Sequence, residues 1–178
     1  MLGLLFICAN VEVVSALTMN EDQMLTFINV DVALRRGDDW LLIVRGESEA
    51  HAAGKLSLVG GTFEMSEPGS DVLEQTARRE VAEEVGVKLD GNLVYVESTF
   101  FQTDDGEPVV NVVLAGELPV SAEPHIAQPE EVAEVVWRTL DDLANDKACP
   151  PWTVQSIRRA EAALQVHSSL LVTVKPSL

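Results

Sequence analysis

The sequence predicts a mixed α/β domain in which strands lie on both sides of a central helix along the chain. Three observations carry that expectation. Short apolar segments with period-two alternation lie both before and after a central stretch of helical periodicity. Clusters of Gly, Pro and Asp separate these segments at short intervals, and no internal repeat interrupts them. The 178 residues, 47% of them hydrophobic, suit one packed core.

The elements follow in order. Leu25 to Leu34 alternates β-branched residues, Arg35 to Asp39 supplies a turn, and Trp40 to Arg45 returns as an apolar strand, which together make a hairpin. After a polar loop, Leu56 to Val59 runs into Gly60-Gly61. Asp71 and Glu74 have the spacing of a capping box, and Gly86 stands where a helix-ending glycine belongs. A helix over Val72 to Val85 is therefore expected, with Leu73, Ala77, Val81 and Val85 as its apolar stripe. Leu93 to Phe101, Val109 to Leu118 and Val132 to Arg138 read as further strands. A short segment over Leu140 to Leu143 and an amphipathic helix over Thr153 to Gln165, after Pro150-Pro151, close the domain. Residues 1–24 then form an extension, 25–166 the domain and 167–178 a tail. In that tail Leu170 to Val174 is expected as an added strand.

The apolar run Leu2 to Cys8 has no preceding Lys or Arg and is too short to span a bilayer. It reads as a strand or interface segment, with Met19 and Met24 as alternative starts. Together with Leu170 to Val174 it is the expected contact of a homodimer. No membrane association is expected.

Charge narrows the function classes. With 29 acidic and 12 basic residues the net charge is -17, which opposes binding to nucleic acid. The same charge repels free nucleotides, so a phosphate-handling site here calls for a cation. Cys8 and Cys149 have no metal-binding spacing and suit a reducing, cytoplasmic compartment. His51, His125 and His167 are scattered singly.

The chemistry concentrates in Arg79-Glu80-Val81-Ala82-Glu83-Glu84-Val85-Gly86. On a helix Glu80, Glu83 and Glu84 share an arc of roughly 100° beside the apolar stripe, so they are expected in a half-buried groove. Carboxylates about 5.5 Å apart repel by roughly 3 kcal/mol at an effective dielectric near 20. A cation relieves that repulsion, and oxygen-only ligands favour magnesium, with manganese as a substitute. A solvated acidic face is the competing reading.

These residues resemble the Nudix (MutT-like) box, G-x5-E-x7-R-E-U-x-E-E-x-G-U with U aliphatic. Arg79 to Val87 matches every specified position of its second half, and Gly61-x5-Glu67 matches the first. The spacer from Glu67 to Arg79 has eleven residues where the box has seven, an insertion assigned to Pro68-Gly69-Ser70-Asp71 or nearby. The resemblance extends less specifically over residues 25 to 165. It implies a Nudix-type α/β/α sandwich and a metal-dependent pyrophosphohydrolase acting on a nucleoside diphosphate linked to another group. It implies further that Glu80, Glu83 and Glu84 carry the metal, with a carbonyl of Gly60 or Gly61 as a further ligand. Arg79 would orient a carboxylate, and Glu131 would be the extra ligand or base, with Glu130 and Glu134 in reserve. Arg45, Phe63 and the Phe100-Phe101 strand would border the nucleotide. The rival from another class is a Nudix-like domain that senses a nucleotide without cleaving it.

Overall fold

The computed structural model describes residues 26–47, 52–64 and 69–173, with the side chains of 171–173 left out. The expected hairpin is present: β1 (Phe27–Arg36) and β2 (Asp39–Arg45) pair antiparallel across Gly37-Asp38, in the register Leu34 to Leu41. Only the last residues of β1 pair with β2. The reason is the next segment, which breaks into β3 (Leu56–Ser57) and β4 (Val59–Thr62). β3 pairs with β2 through Ile43 and Val44, whereas β4 pairs with β1 through Asn29 to Val32. One short stretch of chain thus crosses from β2 to β1 where these strands part, and it carries Gly60-Gly61 at the fork.

The remaining strands complete a seven-stranded sheet in the order β3-β2-β1-β6-β5, with β4 on β1 and β7 on β2. β6 (Pro108–Glu117) lies parallel to β1 over nine residue pairs, β5 (Val94–Gln102) is antiparallel to β6, and β7 (Val132–Thr139) is antiparallel to β2. The sheet is therefore mixed. Alternation sorts its side chains to two faces. Val30, Val32, Leu34, Leu41, Ile43, Val112 and Leu114 pack with helix α1 (Val72–Val85), while Ala33, Trp40, Leu42, Val113 and Ala115 pack with α2 (Leu140–Asn145) and α3 (Pro151–Thr173). Helices cover both faces, giving the three-layer α/β/α sandwich.

α1 has the bounds its periodicity predicts, and Ala77, Val81 and Val85 are fully buried. Its N-terminus differs from expectation. Asp71 adopts a left-handed φ of 53°, which turns its side chain away, so no side-chain cap forms. The Gln75 side chain ties this end to the residue before the helix, its Nε2 donating to Ser70 O. A second correction concerns Leu170 to Thr173, which continue α3 and do not form a strand. No Gly or Pro interrupts the chain between Thr153 and Thr173, so helix propagation costs little once α3 has started. The Leu2 to Cys8 run, Cys8, His51 and Glu67 lie outside the described residues.

The C-terminus of α1 ends at Gly86 in the left-handed conformation, φ 67°, with its N–H on Val81 O. A Cβ there would collide with the His125 imidazole. The loop carrying His125 is tied to the helix end, since His125 N–H donates to Val85 O and Ala127 N–H to Glu84 O. Those bonds satisfy carbonyls that the helix leaves free. Gly86→Ala should accordingly lower stability by about 1–2 kcal/mol from the backbone alone, read as a lower urea midpoint at unchanged slope.

Candidate active site

Two consequences of the fold bring the site together. The fork in the sheet places Gly60-Gly61 against α1, and the loop bound to the end of α1 delivers Glu131 beside β2, where Gly46 N–H donates to Glu131 O. Glu80 and Glu84, next to the apolar stripe, are carried into the gap between helix and sheet at 6% and 2% exposure. Glu84 Oε2 accepts from Gly60 N–H at 3.0 Å. The Glu80 carboxylate occupies the space a side chain on residue 61 would take, its Oε1 lying 2.5 Å from where a Cβ would stand. Glycine at 61 is what admits that carboxylate.

Glu83 is placed differently from the other two. It is about half exposed and pairs with Arg79, Nη1 to Oε2, at 2.8 Å. Arg79 binds three groups at once: Glu83, Glu80 Oε1 at 2.7 Å through Nη2, and Thr62 O at 3.0 Å. It therefore holds α1 to the strand beyond the diglycine corner. Arg45 and Phe63 are both half-buried, and Phe63 N–H donates to Ile28 O. Phe100 is exposed, Phe101 half-buried. Of the downstream acids, Glu131 is half-buried and accepts from Gln128 Nε2, while Glu130 and Glu134 are exposed.

The electrostatics follow from burial. Desolvation raises the Glu84 carboxyl to about 8, helped by the charges of Glu80 and Glu131 and opposed by Gly60 N–H and Arg45. Desolvation also raises Glu80, with Arg79 pulling it back. Ionised carboxylates are thus strained here, and a divalent cation would relieve them. Glu80 and Glu84 bring carboxylate oxygens together at the corner, a donor chemistry that fits a hard ion. Among the described residues no three ligating side chains already converge on one point, because Glu83 is drawn off by Arg79.

A further acid belongs to this region that sequence reasoning passed over. Asp31 on β1 is Cα-paired with Gly60, and desolvation raises it to about 6 against hydrogen bonds from Asn111 and Asn29 and the charge of Arg45. The available signal was an Asp and an Asn at alternate positions of a strand whose other residues are apolar. Cys149, by contrast, is a buried thiol pushed up to about 11.

A mixed sheet between helices, with buried glutamates aimed at a diglycine corner, defines a Nudix-fold protein. The NUDIX domain model matches residues 25–159, and the chain belongs to that family, whose general activity is hydrolysis of a pyrophosphate linkage and which generally works with a divalent metal. The chain is similar to the MutT NUDIX hydrolase from Burkholderia pseudomallei, with 25% identity, TM-score 0.64 and coverage of 76% of this chain and 98% of that one. It shares its fold with the MutT protein from Methanosarcina mazei Go1, at 22% identity, TM-score 0.65 and coverage of 79% and 96%. The same holds for the NUDIX domain of Shewanella oneidensis NrtR, solved with ADP ribose, at 22% identity, TM-score 0.59 and coverage of 80% and 89%. No curated protein matches the chain. No helix among the described residues is long and apolar enough to cross a membrane.

The raised carboxyl has a measurable consequence. Glu84 goes from 4.5 to about 8 on folding, so between those values the native state holds more protons than the unfolded chain. Stability then falls as pH rises through that window. Metal-free protein should show a falling thermal midpoint from pH 5 to 8, a shallower fall in Glu84→Gln, and a magnesium-induced rise larger at pH 8 than at pH 5.

Proposed function

We propose that this chain hydrolyses the pyrophosphate bond of a nucleoside diphosphate linked to another moiety, an ADP-ribose-like nucleotide sugar or a (d)NTP, with magnesium as its ion and manganese as a substitute. The observation that carries this reading is the convergence of buried Glu80 and Glu84 on Gly60-Gly61. Glu80, Glu84 and a corner carbonyl would hold the ion, and Glu83 would join them on leaving Arg79. When bound, the ion neutralises the pyrophosphate oxygens and acidifies water.

The chain's own groups supply the rest. Gly60 N–H fixes Glu84 Oε2, so the second oxygen of that carboxylate stays directed into the site. Arg79 keeps Glu80 oriented through its bond to the strand carbonyl of Thr62. Glu131, held by Gln128 and close enough for its charge to act on Glu80 and Glu84, accepts the proton of the attacking water. Arg45 faces the same acids with positive charge and suits a phosphate of the substrate. Water adds to one phosphorus in line as the bridging P–O bond breaks, leaving a nucleoside monophosphate and a phosphorylated remainder. The ADP ribose bound by the NrtR NUDIX domain supports a small nucleotide as the ligand class.

Incubation with ADP-ribose, other nucleotide sugars and (d)NTPs in magnesium buffer, followed by chromatography of products, tests the reading. Release of a nucleoside monophosphate is expected, with kcat reduced on the order of 10²-fold or more in Glu84→Gln and in Glu131→Gln. Binding without turnover in the parent protein would favour a nucleotide sensor.

A further inference from the structure

Asn29, Asp31 and Asn111 form a closed network of side-chain hydrogen bonds on the sheet face opposite α1. Asn29 Nδ2 donates to Asp31 Oδ1 and to Asn111 Oδ1, both at 2.9 Å, and Asn111 Nδ2 donates to Asp31 Oδ2 at 2.8 Å. The register explains the meeting. Asn29 and Asn111 are Cα partners on parallel β1 and β6, and Asp31 follows on the same face. An apolar row would serve a core better, since burying amides and a carboxylate costs free energy unless they are satisfied.

Satisfaction here is incomplete. The carboxylate accepts two bonds where it has room for about four, Asn111 Nδ2 keeps a second hydrogen, and Asn29 Oδ1 accepts nothing from the described residues. Asp31 shares its row with Val113, which packs against α3, and with Glu97, which Ser156 and Arg159 of that helix bind, so the network meets the covered part of the sheet at Asp31 and leaves it at Asn29 and Asn111. The next row outward holds Phe27, 42% exposed, and Phe101, each Cα-paired with Val109 between them. The two amides thus lie between a row bearing two phenyl rings and the row that α3 covers, with the Asp31 carboxylate at the boundary.

This row adjoins the candidate active site. Asp31 Oδ1 lies 2.8 Å from where a Cβ on Gly60 would stand, and Gly60 N–H is the group that binds Glu84. Arg45 acts on both Asp31 and Glu84. A ligand with its phosphates at Glu84 and Arg45 would extend its other end along this face.

Resting on the hydrolase reading above, we infer that Asn29, Asp31 and Asn111 are the specificity-determining residues for the substrate's nucleobase. They would take a base that presents N–H donors beside an acceptor, with Phe27 and Phe101 against its ring. The carboxylate and Asn29 Oδ1 accept from the base N–H groups. The spare Asn111 N–H donates to its carbonyl or ring nitrogen. Ribose hydroxyls can also donate to the carboxylate, but a sugar phosphate has no flat ring to lie against the phenyl groups and no carbonyl or ring nitrogen for the Asn111 N–H.

Calorimetric titration of GMP, AMP, CMP and ribose 5-phosphate in magnesium buffer tests the inference without requiring turnover. At least one nucleotide should bind tenfold or more tightly than ribose 5-phosphate, and Asn111→Leu should erase that margin. Asn29→Ser carries the same reading should Asn111→Leu lose its cooperative melt. Equal affinity for all four ligands, or a margin that survives in the folded variants, overturns the inference. Turnover measured in parallel separates the two claims: a margin without hydrolysis sinks the hydrolase reading alone, and hydrolysis without a margin sinks the base contact alone.

Discussion

Two carboxylates forced into a confined, water-poor gap set the character of this protein. Glu80 and Glu84 sit on the flank of α1 that also carries Ala77, Val81 and Val85, so the packing that buries the stripe drags the acids in with it. Repulsion between them and Glu131 is tolerated because the corner supplies one N–H, Arg79 supplies a cation, and Glu84 shifts its proton affinity upward. A divalent ion would remove the need for all three compensations. That is the physical sense in which stability and the family's chemistry compete for the same side chains.

The sheet is shaped around this constraint. If β1 and β2 paired along their whole length, no backbone could approach α1 closely enough to offer an N–H to Glu84. The parting of the two strands lets β3 and β4 cross between them, and glycine at 60 and 61 removes the side chains that would otherwise strike Asp31 and Glu80. The far end of α1 is organised by a related device. Its terminal carbonyls are satisfied by the loop bearing His125 and Ala127, and that loop continues to Glu131 and on to the carbonyl that takes the Gly46 N–H. Helix capping and delivery of a third acid are therefore one structural event.

Arg79 has an intermediate place. By binding Glu80, Glu83 and Thr62 O together it stiffens the junction of helix and strand, and it also keeps Glu83 outside the gap. Two acids thus point inward and one lies on the guanidinium. On the opposite face, Asn29, Asp31 and Asn111 set a bonded polar cluster between Val109 and Val113, adjoining the same glycine.

Local sequence by itself determined the span, buried stripe and C-terminal end of α1, because stripe, acids and terminal glycine all fall within one helix and obey one period. It determined the hairpin, the diglycine after an apolar strand, and the box that marks the family, each a matter of a few adjacent residues. Tertiary structure alone decided the rest. Glu83 lies outside the gap because Arg79, anchored to the Thr62 carbonyl a strand away, holds it there. Asn29 meets Asn111 only through a parallel register between segments 82 residues apart, which no local pattern encodes. Asp71 fails as a cap because its own backbone is left-handed, and Leu170 joins α3 because an uninterrupted helix outweighs a short run of strand-favouring residues. Short-range steric and hydrogen-bonding preferences are written along the chain, whereas burial, and with it charge, is conferred by whatever packs from elsewhere.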